Sequence, residues 1–287
     1  MATLAAVGQL CSTASPKANL EQCVRLVAGA AAGGAKMLFL PEASDYVAPD
    51  GQTALALAEP QATSSFVLGL RAAARQHKVA IHVGIHDVGK EDERLRNRAL
   101  YITESGQVDE SASYDKVHVF DYGTLRESAT VQPGLSLTAP FSTPVGRIGS
   151  LICFDVRFPE ASQALSRWRA SPPAQVLTYP SAFTVRTGAA HWEVLLRARA
   201  IECQSWVVAA AQVGRHNERR ASFGRSIVVD PWGSVKLRLA GVVDDAGEAE
   251  EGAVGELGFV EIDAAEADRV RAEMPLRRRT DVFPELT

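Results

Sequence analysis

Two periods of apolar residues run along this chain, and the changes between them mark its elements. Met1 to Leu10 is a short apolar run, read as a first strand with no basic flank and too short to span a bilayer. Ser15-Pro16 then offers an N-cap residue and a proline at the first helical position; Leu20, Cys23, Val24 and Val27 follow at helical spacing, and Gly33-Gly34 ends the helix. Lys36 to Leu40 reads as a second strand, closed by Pro41-Glu42. A helix is predicted from about Thr63 to His77, with Phe66, Leu70, Ala73 and Ala74 on one face. Val79, Ile81, Val83 and Ile85 alternate with smaller or polar residues as far as Val88, the period of a strand. His82 and His86 share its other face, too far apart to chelate one metal, and read as structural or surface groups.

Asn97–Thr103, a Glu104-Ser105-Gly106 turn and Gln107–Tyr114 read as a hairpin, followed by a polar strand end from Tyr114 to Asp121. Ile148–Ile152 is a buried strand ending at Cys153, with a helix from about Glu160 to Arg169 behind it. Ala174–Tyr179 is the next strand; Pro180 to Phe183 begins a loop, and Thr187-Gly188 precedes a helix from about Ala189 to Gln204. Trp206–Val213 follows as strand, and Ser226–Asp230 pairs with Val235–Leu239 across Pro231-Trp232-Gly233-Ser234. The acidic, Gly- and Ala-rich stretch from Gly241 to Glu256 reads as a mobile surface loop; a strand Leu257–Ile262, a helix Ala264–Glu273 and an irregular tail, Met274 to Thr287, complete the chain. Strands and helices alternate with no dividing linker, which predicts one α/β domain over residues 1–287 with a mixed sheet or sheets.

Composition narrows the function classes. A formal net charge of -4 gives no electrostatic reason to expect nucleic acid or an anionic membrane as partner. No segment approaches the roughly eighteen apolar residues of a spanning helix. The four cysteines (Cys11, Cys23, Cys153 and Cys203) form no C-x-x-C pair and no zinc-spaced cluster with histidine, which argues against a disulfide framework or structural metal. A reducing, cytoplasmic location is the default expectation.

Three positions share one description: Glu42, Lys116 and Cys153 each follow an apolar strand. Neighbouring strands in one sheet would bring the three side chains together at its C-terminal edge. A thiol is mostly protonated at neutral pH, so a nucleophilic cysteine needs a base or a cation beside it. A carboxylate accepts its proton; an ammonium steadies the oxyanion that follows. Each residue alone also has an ordinary reading: Cys153 as a buried apolar group, Glu42 as a helix-initiating carboxylate, Lys116 as a surface charge.

Phe39-Leu40-Pro41-Glu42, Tyr114-Asp115-Lys116-Val117-His118-Val119-Phe120-Asp121 and Ile152-Cys153-Phe154-Asp155-Val156-Arg157-Phe158-Pro159-Glu160 resemble the three signature segments of the nitrilase (carbon–nitrogen hydrolase) superfamily. Thr178 to Phe183, the helix carrying His191-Trp192-Glu193, and Asp230-Pro231-Trp232-Gly233 are similar to its later segments, and in detail the chain looks closest to the Nit branch of deaminated-glutathione amidases. The resemblance implies a four-layer α-β-β-α sandwich, no metal or organic cofactor, and a homodimer or higher homo-oligomer in which the tail from about 274 to 287 takes part. It makes Glu42 the general base, Lys116 the stabiliser and Cys153 the nucleophile. Glu127 matches the family's second glutamate, which positions the lysine or assists proton transfer. The Phe154 backbone N–H would complete the oxyanion hole; its side chain stands where many relatives have tyrosine.

The resemblance implies hydrolysis of the primary amide of deaminated glutathione, a 2-oxoglutaramate-like keto-acid amide, to the acid and ammonia through a cysteine thioester, with Glu42 tuned toward neutrality by partial burial. Arg157 could hold a substrate carboxylate or pair with Asp155 or Glu160; Thr187-Gly188 could add a hydroxyl and amide N–H groups, and Phe183 joins them as a substrate-binding residue. Rival readings are an ω-amidase on free keto-acid amides, an N-carbamoyl amidohydrolase, a non-catalytic binding protein, and a cysteine protease using His191.

Overall fold

A computed structural model describes residues 1–88, 94–123, 125–168, 172–279 and 281–282. In chain order its strands are β1 (Thr3–Gly8), β2 (Met37–Phe39), β3 (Ala80–Val88), β4 (Leu95–Ile102), β5 (Tyr114–Asp115), β6 (Asp121–Tyr122), β7 (Leu125–Arg126) and β8 (Phe141–Thr143). They continue as β9 (Gly146–Ser150), β10 (Val176–Thr178), β11 (Trp206–Ala209), β12 (Val213–Arg215), β13 (Ala221–Phe223), β14 (Ile227–Val229), β15 (Val235–Arg238) and β16 (Leu257–Ile262). The helices are α1 (Pro16–Ala32), α2 (Gly51–Leu57), α3 (Ser65–His77), α4 (Pro159–Gln163), α5 (Val185–Cys203) and α6 (Ala264–Glu273).

One six-stranded sheet has the order β16-β1-β2-β3-β4-β5 and the other β15-β14-β11-β10-β9-β8. Each holds three adjacent parallel strands, β1-β2-β3 in the first and β9-β10-β11 in the second, flanked by antiparallel neighbours. Strand alternation sorts the side chains into three buried layers. Val7, Phe39, Ile148, Val176 and Val208 pack between the sheets; Leu38, Ile81, Val83 and Ile85 pack under α1 and α3; Leu177, Val207 and Val229 pack under α5. The chain is thus a four-layer α-β-β-α sandwich, and burial of such side chains contributes about 1.5–3 kcal/mol each.

Several expectations change in detail. The face of β3 carrying His82 and His86 is not a surface, because the second sheet covers it. The helix after Cys153 is short: α4 gives way to a π-helical turn, Ala164–Trp168, and Arg169 lies outside the described residues. α5 starts four residues earlier than its periodicity suggests, at Val185, capped by the Thr184 side chain. The acidic segment from Gly241 is anchored rather than mobile. Gln9 Nε2 donates to Ala253 O at 3.1 Å, Ala240 N–H donates to the Glu256 carboxylate at 2.8 Å, and Val242 bridges Ala249. Acidic composition predicts solvation, but the contacts with Gln9, just after β1, and Ala240, just after β15, outweigh it. Of the C-terminal tail, residues 280 and 283–287 lie outside the described residues.

Candidate active site

Glu42, Lys116 and Cys153 do come together, but across two sheets rather than along one edge. β2 and β5 deliver Glu42 and Lys116 from the first sheet, and β9 delivers Cys153 from the second. In a sandwich the C-terminal ends of both parallel sets open on the same end of the molecule, so a site can draw on each. Two local conformations mark that end. Cys153 has φ +47° and starts a 3-10 helix, Cys153–Arg157; Ala43, directly after Glu42, has φ +53°. Both are non-glycine residues in the left-handed region, a backbone cost found where a side chain must be aimed. Gly84 makes the turn at Glu42 possible: a Cβ there would stand 2.5 Å from Glu42 Cα.

Lys116 is 1% exposed, yet its ammonium is fully surrounded by partners. Nζ donates to Glu42 Oε1 at 2.9 Å and to Glu127 Oε2 and Oε1 at 2.8 and 3.1 Å. Asn97 Nδ2 bridges the same carboxylates, at 2.7 Å from Glu42 and 2.9 Å from Glu127. The other Glu42 oxygen accepts the Ala182 N–H at 2.8 Å, and Glu42 and the Cys153 thiol are close enough to influence each other's ionisation. Phe120 N–H holds Glu127 from the loop side.

These contacts decide the charge states. Burial would push the Glu42 carboxyl up, but Lys116, the nearby Cys153 thiol and the hydrogen bonds from Lys116 and Asn97 outweigh it and hold Glu42 below its ordinary value. The expected tuning toward neutrality is therefore absent, because a full ammonium lies against the carboxylate. Burial would lower Lys116; Glu127 and Glu42 instead raise it well above its ordinary value. Cys153 is pushed well up, first by burial and then by Glu42, against the opposing pull of Lys116 and the Ala182 N–H. The resting site thus pairs a neutral thiol with an ionised carboxylate, which calls for proton transfer during attack rather than a preformed thiolate.

Asp155 ties the lysine and cysteine loops together. Fully buried, it accepts from Tyr114 Oη at 2.8 Å, the Ile152 N–H at 2.9 Å and the His118 N–H at 3.1 Å, and pairs with His118 Nδ1 at 2.7 Å. Its engagement leaves Arg157 without the ion pair considered above. Arg157 instead lies over the Phe154 and Phe183 rings, at 5.7 and 5.6 Å, and donates to His191 Nδ1 at 3.1 Å. Among the described residues it has no carboxylate partner, and it lines the cavity. His191 serves Arg157, and among the described residues no imidazole is hydrogen bonded to the Cys153 thiol.

Thr187 also lines the cavity, but as part of the first turn of α5. Its hydroxyl pairs with that of Thr184 at 2.8 Å, its N–H goes to the same cap, and the Gly188 N–H is used by Thr184 O. The amide groups expected for an anion are therefore spent on the helix; only the hydroxyl remains beside the cavity. Gly188 itself admits Phe223, which a Cβ would approach to 2.3 Å.

Asn97 and His86 are the residues the sequence reading missed. Asn97 had a signal: it falls in the buried register of β4 between Leu95 and Ala99, where an amide needs a reason. His86 accompanies it in the cavity wall, stacked on Tyr46 at 4.4 Å and paired with Asp45 at 3.0 Å. Against the lowering effect of burial, Asp45 raises His86 above its ordinary value. The cavity measures about 770 Å³. Among the described residues no group of three or more His, Cys, Asp or Glu side chains is disposed to hold a metal ion, and no helix is long and apolar enough to cross a membrane.

The profile of the carbon–nitrogen hydrolase family matches residues 4–272. "Probable hydrolase nit2" of Schizosaccharomyces pombe is 42% identical, covering 99% of this chain and 100% of the relative. The deaminated glutathione amidase of Bos taurus is 41% identical over 99% of this chain and 84% of its own. The crystal structure of the Caenorhabditis elegans NitFhit protein superposes with a TM-score of 0.86 at 37% identity, covering 99% of this chain and 67% of that one.

Proposed function

Because the chain belongs to the carbon–nitrogen hydrolase (nitrilase) family, we propose that it hydrolyses the amide of deaminated glutathione through a Cys153 thioester. At the coarser level it is an amidase, a hydrolase of carbon–nitrogen bonds other than peptide bonds, with a small-molecule amide and water as reactants. The observation that carries the finer reading is Arg157, a guanidinium held between two aromatic rings beside the nucleophile, with no carboxylate of its own. It suits the carboxylate of a 2-oxo acid, with the Thr187 hydroxyl beside it.

In the first step Cys153 Sγ attacks the amide carbon while Glu42 takes the thiol proton. The oxyanion rests on Lys116 and the Phe154 N–H, with Asn97 and Glu127 fixing the lysine. Collapse breaks the C–N bond, and Glu42 returns the proton to the departing nitrogen. Water, deprotonated by Glu42, then cleaves the thioester and restores the thiol. The nature of the leaving group needs correcting from the primary amide expected above. Deaminated glutathione joins its 2-oxoglutaryl unit to cysteinylglycine by a secondary amide, so the dipeptide amine departs; ammonia leaves only when the substrate is free 2-oxoglutaramate. A homodimer is supported by the exposed apolar side chains of Val194 and Ile201 on α5 and of Trp232, with Ile201 packed against Gly233.

The test is product release across deaminated glutathione, 2-oxoglutaramate, N-carbamoyl amino acids and simple nitriles. The 2-oxo amides should be turned over best; a preference for N-carbamoyl amino acids would overturn the reading. Cys153→Ala should lower that turnover by about 10⁴-fold or more with the fold intact by circular dichroism. Retained turnover would remove Cys153 from the role of nucleophile.

A further inference from the structure

The cavity has a second cationic wall that the reaction steps do not use. Arg219 and Arg220 lie on the turn between β12 and β13 and line the same cavity as Cys153 and Arg157. The turn is held in shape: Asn217 Oδ1 accepts from the N–H groups of Arg219 and Arg220 at 2.9 and 3.0 Å, and Ser222 bridges Thr184 at the start of α5. Arginines elsewhere, such as Arg225 with Glu250 and Arg238 with Glu193, meet carboxylates. Among the described residues neither Arg219 nor Arg220 has an ion-pair partner. Asp50, which feels the charge of Arg219, spends Oδ1 on the Thr53 N–H at 2.8 Å to cap α2.

A chain of net charge -4 thus gathers Arg157, Arg219 and Arg220 around one opening. The carboxylates deeper in, Glu42 and Glu127, are already bonded to Lys116. Cationic walls of this kind raise the local concentration of anions and orient them. The space also exceeds what the acyl unit needs: about 770 Å³ is the capacity of a drug-sized ligand, and a five-carbon oxo acid amide leaves most of it empty.

We propose that Arg219 and Arg220 form a second carboxylate subsite, which holds the terminal carboxylate of a short peptide leaving group. Arg157 takes the acyl end and the two arginines take the amine end, so the enzyme selects 2-oxo amides of small peptides over free 2-oxo amides. This rests on the reading of the reaction given above. Because both substrates yield the same thioester, the arginines act on acylation by the extended substrate and leave deacylation untouched.

The experiment compares the parent protein with Arg219→Gln/Arg220→Gln and Arg219→Ala/Arg220→Ala. The substrates are deaminated glutathione, its derivative with the terminal carboxylate converted to carboxamide, and 2-oxoglutaramate. The selectivity ratio, kcat/KM of the extended acid over that of 2-oxoglutaramate, should fall about 10- to 100-fold in either variant, chiefly through KM. The parent should show a similar fall when the carboxylate is amidated, and the variants should no longer distinguish acid from amide. An unchanged ratio, or a parent indifferent to amidation, overturns the subsite while leaving the amidase reading standing. A parent that turns over none of the three substrates overturns the reading beneath it.

Discussion

The space between the sheets and the end of the sandwich are buried to the same degree and built on opposite chemistry. Between the sheets lie Val7, Phe39, Ile148, Val176 and Val208, side chains that ask nothing of their neighbours but shape. At the end, just past β2 and β9, lie Glu42 and Cys153, met there by Lys116 from β5. Desolvation costs the charged groups several kcal/mol each, and only complete pairing offsets it. The apolar layer therefore stabilises the fold, and the charged end draws on that stability to hold its groups in reactive positions.

Two histidines on β3 sample both regions. His82, between the sheets, bonds Ser150 Oγ at 2.9 Å, and burial lowers its pKa to about 3. His86, two repeats further along the same face, is raised by Asp45 against the effect of burial. The residue type and the strand are the same; the difference is whether a carboxylate is present to meet the imidazolium.

The strongest way to break the comparison is to remove the cation. Lys116→Met should lower kcat/KM about 10³-fold and destabilise the fold by about 3–5 kcal/mol. In the parent, Glu42 is held low and contributes stability above its unfolded value of about 4.3, lost as pH falls below it; Lys116 is held high and contributes fully below about 10.4. Without the lysine, the buried Glu42 carboxylate loses its cation, and its protonation is favoured. Urea unfolding should therefore show the deficit largest near about pH 8 and shrinking toward about pH 5. A deficit independent of pH would mean that the charges are not what the substitution removes.

Next comes the apolar layer. Phe39→Ala should cost about 3–4 kcal/mol in urea unfolding, with the same cost at acid and neutral pH. A strong pH dependence would show that the two regions are not separable. The smallest effect concerns their boundary. His82 is neutral when folded, so the unfolded chain takes up its proton first as pH falls below about 6.5, and stability is lost from there down toward the folded value. At about pH 5 that loss is about 2 kcal/mol, and His82→Gln, which keeps a donor for Ser150, should remove it from the difference between neutral and acid unfolding midpoints.

The order of elements and the three strand-end motifs were legible in the chain because both are local. Periodicity placed α1, α3, β16 and α6 within a residue or two, and caps such as Ser15-Pro16 marked a boundary directly. Periodicity failed where a neighbour rather than a local pattern sets the conformation. Thr184 starts α5 early, and Gln9 ties down an acidic segment whose composition predicts mobility. Glu42, Lys116 and Cys153 could be named from short motifs, each with its strand beside it, and Glu127 from the family resemblance alone. What the sequence could not contain was their geometry. Lys116 meets Glu42 across 74 residues, Asn97 meets it across 55 and the Ala182 N–H across 140, from two different sheets. The charge of each group, the freedom of Arg157 and the facing of Arg219 and Arg220 into the same cavity depend on those long-range contacts. A pKa or an open valence belongs to an environment, and only the folded sandwich creates one.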